Sequence, residues 1–329
     1  MIKERDYYID FLRAIGLILL IGVHVDAPDW YVPLRSFDVP LMVFVSVLCY
    51  KPLRGGYLAY ARKRFVRLYK QVFIFLTLFF LIEAVSYILF GKPVLNYIQI
   101  IGSYLLLNSP SIGYVWIMRV FIIMALAIPL WYTLFQRINW ISLCIVTLSL
   151  ILAQPLIIWT IDQIEWKLLH FALSETIPYL IGYSAIALPA FKIRDLTNRQ
   201  QLATLGLLLG FIILFLCLNK GALPQQYKYP PQSLYILYGL FCSIGLWSFK
   251  PLIGKLSFIS SGAVRYLSSN SMWVYLWHII PVNIVFHFSN VFDLWIVRYI
   301  FVLSVAIILT ATYNFITSKL YNLKKLSCS

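Results

Sequence analysis

Long apolar runs recur along the whole chain, and short polar or basic stretches separate them. A window of about 19 residues, close to the length that a helix needs to cross a bilayer, resolves about ten runs. They cover residues 9–25, 37–50, 70–90, 114–135, 140–158, 169–188, 202–218, 233–249, 271–288 and 295–316. This pattern predicts an all-α polytopic membrane protein with about ten transmembrane helices. We expect residues 1–329 to form a single integral-membrane domain, because no internal repeat or soluble region interrupts the series.

Basic residues are concentrated in every second connection between these runs. Basic connections precede the first run and follow the second, fourth, sixth, eighth and tenth, whereas the alternate connections carry acidic residues such as Asp26, Asp162 and Asp293. Because Lys and Arg are enriched in cytoplasmic loops, both termini are expected in the cytoplasm. The longest external connection, residues 91–113, has an apolar middle at 97–107 that suits a re-entrant or an interfacial helix.

Composition excludes a soluble protein. Charged residues make up 12% of the chain, against about 25% in soluble domains, and hydrophobic residues make up 61%. The net charge of +15 suits nucleic acid in principle, but the basic residues lie between apolar runs. They therefore indicate topology, and the expected surroundings are membrane lipid rather than nucleic acid.

The five Cys show no C-x-x-C spacing, so neither a zinc site nor a disulfide framework is predicted. The first run lacks a small-residue cleavage site and is interpreted as a retained signal anchor.

The first run carries two ionisable residues, Arg13 near its start and His24 near its end. Eleven positions separate them, which is about three helical turns. Both side chains therefore fall on nearly the same helix face, about 16 Å apart along the axis. Such residues are costly inside a membrane unless they face a polar cavity, so the pair is a functional candidate. The alternative is that Arg13 extends to the cytoplasmic surface while His24 merely lies at the opposite interface.

A basic stretch, residues 62–70, follows the second apolar run and contains Arg64 and Arg67 at i and i+3. A helix here would present one cationic face. Arginine forks suit phosphate oxygens, such as those of a coenzyme A donor. The alternative is that these residues only fix topology and contact anionic lipid.

Four further polar residues lie in or beside the apolar runs. Arg119 in the fourth run needs an acid or a cavity, and Glu175 is its most attractive acidic partner. His278 lies within the ninth run and is either a packing residue or a functional one. Asp26, two residues after His24, either orients the imidazole or caps the loop.

Several of these segments, in order along the chain, resemble motifs of acyltransferase family 3, the bacterial membrane acyltransferases that O-acylate surface polysaccharides and related glycans. The spacing of Arg13 and His24 is similar to the family's R-x(10)-H signature. Val47 and Lys70 depart from the pattern, since the family often has Gly and Pro there. The other matching segments are Asp38 to Ser46, the R-x-x-R pair Arg64 and Arg67, Tyr179 to Tyr183, and Asn270 to His278.

This resemblance implies acyl transfer from cytosolic acyl-CoA, with acetyl-CoA as the expected donor, and no tightly bound cofactor. The implied acceptor is a sugar hydroxyl of an extracytoplasmic or lipid-linked glycan, at a bacterial plasma membrane. His24 is then the expected general base and Arg13 lines the donor channel, while Arg64 and Arg67 hold the coenzyme A phosphates. A rival interpretation is a transporter or glycolipid flippase, because intramembrane Arg and His residues suit a polar transport cavity equally well.

Overall fold

The computed structural model describes residues 5–52, 55–91, 96–287 and 293–327. These residues form sixteen α-helices joined by turns and short 3-10 segments, and no strand occurs among them. The helices are α1 Tyr7–Gly22, α2 Tyr31–Leu34, α3 Asp38–Leu48, α4 Tyr57–Phe90, α5 Tyr97–Tyr104, α6 Trp116–Phe135, α7 Trp140–Asp162, α8 Lys167–Ser174, α9 Ile177–Ala190, α10 Asn198–Leu218, α11 Ser233–Ser248, α12 Lys250–Ile253, α13 Gly262–Ser269, α14 Ser271–Trp277, α15 Ile279–His287 and α16 Trp295–Ser327.

Eight segments within the described ranges are long and apolar enough to cross a membrane. α2 with α3, and α8 with α9, each lie in one such segment. α11 is shorter, and the predicted ninth span is divided between α14 and α15. The predicted all-α multi-pass membrane architecture is confirmed, and about ten crossings agree with it. The cytoplasmic placement of both termini stays a prediction.

Polar side chains determine where several helices begin. Asp6 accepts a hydrogen bond from the backbone N–H of Tyr8 at the start of α1. Asn139 caps α7 in the same way, and Thr197 with Gln200 forms a reciprocal capping box at the start of α10. These bonds satisfy backbone amides that have no partner inside their own helix.

α1 lies near the centre of the bundle. It packs against α3 and α13 and also contacts α14 and α16. Its residues Leu12, Leu17 and Ile21 are fully buried. In contrast, most of the apolar surface of α7, α10 and α16 is exposed, as expected of helices that face lipid. The helix that carries Arg13 and His24 is therefore enclosed by others.

Two helices, α4 and α5, cover the basic stretch and the apolar middle of the connection 91–113. α4 begins at Tyr57 and continues through residues 62–70, so the basic stretch lies on a helix. α5 confirms a helix within 97–107, and Tyr97, Ile98 and Ile101 on it are exposed. Its location at the membrane interface stays a prediction.

The two ends of the bundle carry different chemistry. We call the end with Arg13 and Arg64 the basic end, and the end with His24 and His278 the histidine end. The basic end is the predicted cytoplasmic side. The two ends are connected through α1, which reaches from one to the other.

Candidate active site

His24 meets His278 at the histidine end. His24 lies on a 3-10 turn, Val23–Val25, that continues α1. Its Nδ1 is 2.8 Å from Nε2 of His278, and the two rings stack with centroids 4.9 Å apart. His278 is fully buried. The structure thus brings the predicted base into direct contact with His278, a residue that the sequence left open between packing and function.

The contacts of the two rings determine which nitrogen carries a proton. His278 Nδ1 lies against the backbone carbonyl oxygen of Tyr275, which can only accept, so this nitrogen must donate. In the neutral ring Nε2 is then an acceptor, and Nδ1 of His24 donates to it. Nε2 of His24 keeps a free lone pair, which is the form that a general base requires.

A helix break allows His278 to make both contacts. α14 ends at Trp277 and α15 begins at Ile279, so the histidine lies between two helices. Pro281 contributes to the break because it has no N–H for the carbonyl of Trp277, four residues earlier. The proline was visible in the sequence, but the direction in which the break turns the imidazole was not.

A close backbone approach holds the end of α1 just before His24. The hydroxyl of Tyr31 donates to the carbonyl of Leu19 at 2.9 Å. A Cβ placed on Gly22 would lie 2.4 Å from that hydroxyl oxygen, so only glycine leaves room for the ring. The tyrosine therefore fixes the helix end two residues from the imidazole.

A cavity of about 240 Å³ opens at the basic end. Arg13 and Arg64 both line it, together with Cys49 and Tyr275. The guanidinium of Arg64 lies 5.4 Å from the centroid of the Tyr60 ring. Arg67 is exposed and is not among the lining residues. Of the two arginines predicted to bind the donor, the structure therefore brings only Arg64 to the same cavity as Arg13.

Arg13 is held by a network on its own side of the cavity. Its guanidinium donates to Oγ of Ser268 at 3.3 Å and to Sγ of Cys49 at 3.1 Å. Ser268 in turn donates to Asp10 at 2.6 Å, and Asp10 also accepts from Arg5. Asp10 is already paired with Arg5, so its negative charge does not offset that of Arg13. The positive charge of Arg13 therefore remains available for a ligand.

Tyr275 connects the cavity with the histidine pair. It lines the cavity, and its ring centroid is 6.4 Å from that of His24. Its hydroxyl donates to the backbone carbonyl of Tyr114 at 2.5 Å, and the Tyr114 ring contacts His24 edge-on at 4.8 Å. The cavity at the basic end thus extends inward to a side chain that contacts the candidate base.

A group of buried charges lies beside the histidine pair, and we call it the charged cluster: Arg35, Asp38 and Lys228. Arg35 donates to Oδ2 of Asp38 at 2.5 Å, and Nζ of Lys228 is 3.9 Å from Oδ1 of the same carboxylate. All three side chains are at most 2% exposed. The positive charges of Arg35 and Lys228 both act on His24, so the cluster is within electrostatic reach of the candidate base.

A family model described as an acyltransferase domain, in acyltransferase family 3, matches residues 6–314. The chain belongs to this family. Comparisons with curated proteins and with solved structures find no match. The multi-pass helical bundle and the family together make the protein a membrane acyltransferase.

Two other predicted residues of the acyltransferase have clear partners. Arg119 forms an ion pair with Glu175, the acid that the sequence had suggested, and its guanidinium stacks on Tyr179 at 4.8 Å. Asp26 pairs with Arg298 at 2.9 Å, while the imidazole of His24 bonds His278. Asp26 therefore holds the loop after α1 against α16 rather than contacting the ring.

The charged cluster of the acyltransferase was missed at the level of sequence. Asp38 appeared there only as the start of a motif, although a carboxylate at the head of an apolar run demands a cation. Arg35 supplies this cation from three residues earlier in the chain, so the local sequence could have indicated the pair. Lys228 lies in a connection between α10 and α11, and nothing in the local sequence indicates that it folds inward.

Two further features lie apart from these residues. A cavity of about 700 Å³ at the basic end is lined by Arg5, Tyr8, Trp247 and Lys250 among others, and none of the predicted site residues borders it. Among the described residues, no group of His, Cys, Asp and Glu is arranged to hold a metal ion.

Proposed function

We propose that the protein transfers an acyl group, with acetyl as the expected group, from acyl-CoA to a sugar hydroxyl of an extracytoplasmic or lipid-linked glycan. The observation that carries the proposal is the contact between His24 and His278, which leaves Nε2 of His24 as a free acceptor. Family membership supports acyl transfer in general. The donor and the acceptor are our inference from the chemistry of the two ends and from the family resemblance. From the same resemblance we infer a bacterial plasma membrane as its location.

The base acts on the acceptor. A sugar hydroxyl is a poor nucleophile at neutral pH, so its proton must leave as the oxygen attacks the thioester carbonyl. Nε2 of His24 takes this proton, and the resulting imidazolium still donates from Nδ1 to His278. That hydrogen bond becomes charge-assisted at this moment and therefore strengthens. The proton then passes to the departing coenzyme A sulfur.

The donor enters from the basic end. Arg64 and Arg13 line one cavity, and their guanidinium groups are suited to phosphate and carbonyl oxygens. The contact of Arg67 with donor phosphate stays a prediction, since its side chain is exposed and lies off this cavity. A pantetheine arm that follows the cavity to Tyr275 would bring the thioester toward His24, which is about 16 Å along α1 from Arg13.

The rival function, a transporter or flippase without acyl transfer, uses the same polar residues differently. A transport cavity requires polar side chains but no particular tautomer of a histidine. The contact of His278 with the Tyr275 carbonyl fixes one tautomer, which favours proton transfer over transport.

Substitution of His24 tests the proposal. Membranes that contain the protein would be incubated with acetyl-CoA labelled in the acetyl group, and label in extracted glycan and lipid would be counted together with released thiol. We expect His24→Ala to lose at least about a hundredfold in rate, since general-base catalysis contributes about 10² to 10⁴. His170→Ala is the matched control, because His170 lies in α8 and pairs with Asp162 at 3.4 Å, away from the histidine pair. Transfer at the wild-type rate by His24→Ala protein would refute the role of base.

A further inference from the structure

The ammonium group of Lys228 has no hydrogen bond within the described part of the chain. The residue is 1% exposed, and two aromatic rings lie close to its Nζ. The ring centroids of Trp116 and Tyr229 lie 5.6 and 5.4 Å from Nζ. Polar groups of buried residues are nearly always hydrogen-bonded, so a lysine this buried without a hydrogen bond to its ammonium is unusual.

The neighbouring carboxylate does not satisfy this ammonium. Oδ2 of Asp38 accepts from Arg35, and Oδ1 accepts from the backbone N–H of Val39 at 2.6 Å. Lys228 is left at 3.9 Å from Oδ1, which is beyond hydrogen-bond distance. Two cations share one carboxylate, so the charged cluster keeps one net positive charge. A buried excess charge of this kind is stabilised when an anion enters.

The excess charge of the cluster acts on the candidate base. The Lys228 ammonium lies over the ring of Trp116. Two residues earlier in the chain, the ring of Tyr114 contacts the His24 ring, with centroids 4.8 Å apart. The charge of Lys228 also acts directly on His24. The acyl carbonyl must come close to Nε2 of His24 for reaction, so the positive charge of Lys228, which acts on His24, then acts on the carbonyl as well.

We propose that Lys228 donates a hydrogen bond to the carbonyl oxygen of the acyl group as that oxygen becomes negatively charged during transfer. This inference rests on the proposed function. The acceptor oxygen forms a bond to the thioester carbon, its proton moves to Nε2 of His24, and the carbonyl π electrons move onto oxygen. Lys228 stabilises that oxyanion. The oxyanion then reforms the carbonyl, the C–S bond breaks, and the sulfur leaves with the proton from His24.

Donors aimed at a developing oxyanion in a water-excluded site contribute strongly to rate, and loss of one costs about 10² to 10³ in kcat. The role of Arg35 is different, because its guanidinium is already engaged with Asp38. Arg35 keeps the carboxylate occupied, so the Lys228 ammonium remains free for the substrate.

The same surroundings set the pH range in which Lys228 is charged. It lies in the connection between α10 and α11, and burial lowers its pKa from 10.5 to about 8. Of the charged groups that face it, Asp38 opposes this shift and Arg35 adds to it. A lowered pKa means that the ammonium is present below about pH 8 and is lost above it. Activity that depends on the ammonium should therefore fall as the pH rises through about 8.

Three variants of the full-length protein test the inference: Lys228→Met, Lys228→Arg and the control Lys220→Met, which changes an exposed lysine in the same connection. Labelled acetyl-CoA and membranes of the expressing strain are the probes. We expect Lys228→Met to lower kcat about 10² to 10³-fold, with KM for acetyl-CoA changed by less than about threefold. Lys228→Arg should restore part of the rate, and its activity should not fall near pH 8, because a guanidinium stays protonated. Lys220→Met should behave as wild type.

The outcomes separate this inference from the proposed function. A wild-type kcat in Lys228→Met, or a fall near pH 8 that persists in Lys228→Arg, would overturn the role of Lys228. So would a loss of rate that tracks a lowered thermal midpoint in detergent, because it would make Lys228 only an anchor for its loop. His24→Ala, assayed in parallel, tests the base: if it transfers acetyl normally, the proposed function fails as well. An inactive His24→Ala together with an active Lys228→Met would overturn the oxyanion contact alone.

Discussion

The cavity at the basic end and the charged cluster at the histidine end both contain arginine, but they hold it in different ways. Arg64 is exposed and lies over a tyrosine ring, and Arg13 is half-buried and bonds a hydroxyl and a thiol. In the charged cluster, Arg35 is buried and bonds a buried carboxylate. Exposed charges are already hydrated and cost little to keep, whereas buried charges depend on each other. Cations at the basic end are thus available for a ligand, whereas at the histidine end Asp38 holds Arg35 and leaves the Lys228 ammonium without a hydrogen bond.

The largest difference between the two regions should appear when Asp38 is replaced by alanine. Arg35 and Lys228 would then remain buried without a counter-charge, which should destabilise the fold by about 3 to 5 kcal/mol. The thermal midpoint and the yield of monodisperse protein in detergent report this loss. Asp26→Ala is the matched control, because its pair with Arg298 has an exposed carboxylate, and we expect a cost below about 1 kcal/mol. Equal midpoints for the two variants would contradict the difference between buried and exposed charges.

A large effect on rate without an effect on folding should follow from His278→Leu. The variant removes the acceptor for Nδ1 of His24, so the imidazole no longer has a fixed tautomer. In a serine protease the loss of the tautomer-fixing partner lowers kcat about 10⁴-fold, and we expect a loss of about 10² to 10⁴ here. KM for acetyl-CoA should stay within about threefold. His278→Gln should recover part of the rate, because its side-chain oxygen can accept. If Leu and Gln give the same rate, His278 does not position the base.

The smallest effect should come from the basic end, where Arg64→Gln and Arg67→Gln provide a matched pair. Arg64 lines the cavity, so its loss should raise KM for acetyl-CoA about tenfold, the equivalent of about 1.4 kcal/mol, with little change in kcat. Arg67 is exposed and lies off the cavity, so we expect a rise below about threefold. Both effects should weaken in high salt. Equal rises in KM for the two variants would place the donor on the exposed face of α4 instead of in the cavity.

Some features of the fold and of the candidate site could be predicted from the local sequence, and others could not. Hydropathy predicted the helical membrane architecture. The common helix face of Arg13 and His24 stays a prediction, because α1 ends at Gly22 and His24 lies on the 3-10 turn that follows. The partner of Arg119 was also accessible, because an intramembrane cation needs an acid and the whole chain has only 12 Asp and Glu. The partner of His24 was not accessible, because His278 reaches it through packing between helices that are far apart in sequence.

The charged cluster contains one contact that local sequence could predict and one residue that it could not. The spacing of Arg35 and Asp38 predicts a contact within one helical turn. Lys228 joins them only because its connection folds into the bundle, which depends on the rings of Trp116 and Tyr229. The contacts of such a residue become visible only in the structure.

The separation of the two histidines also bears on how the protein is made. The ribosome adds His278 as the 254th residue after His24. At about 5 to 20 residues per second this takes about 13 to 50 s, and during that time the first helix waits in the bilayer without its partner. A neutral imidazole tolerates this wait far better than a carboxylate or an ammonium would. Arg35 and Asp38, three residues apart, neutralise each other as soon as they emerge. The N-terminal residues of the site can therefore enter the membrane before its C-terminal residues have been synthesised.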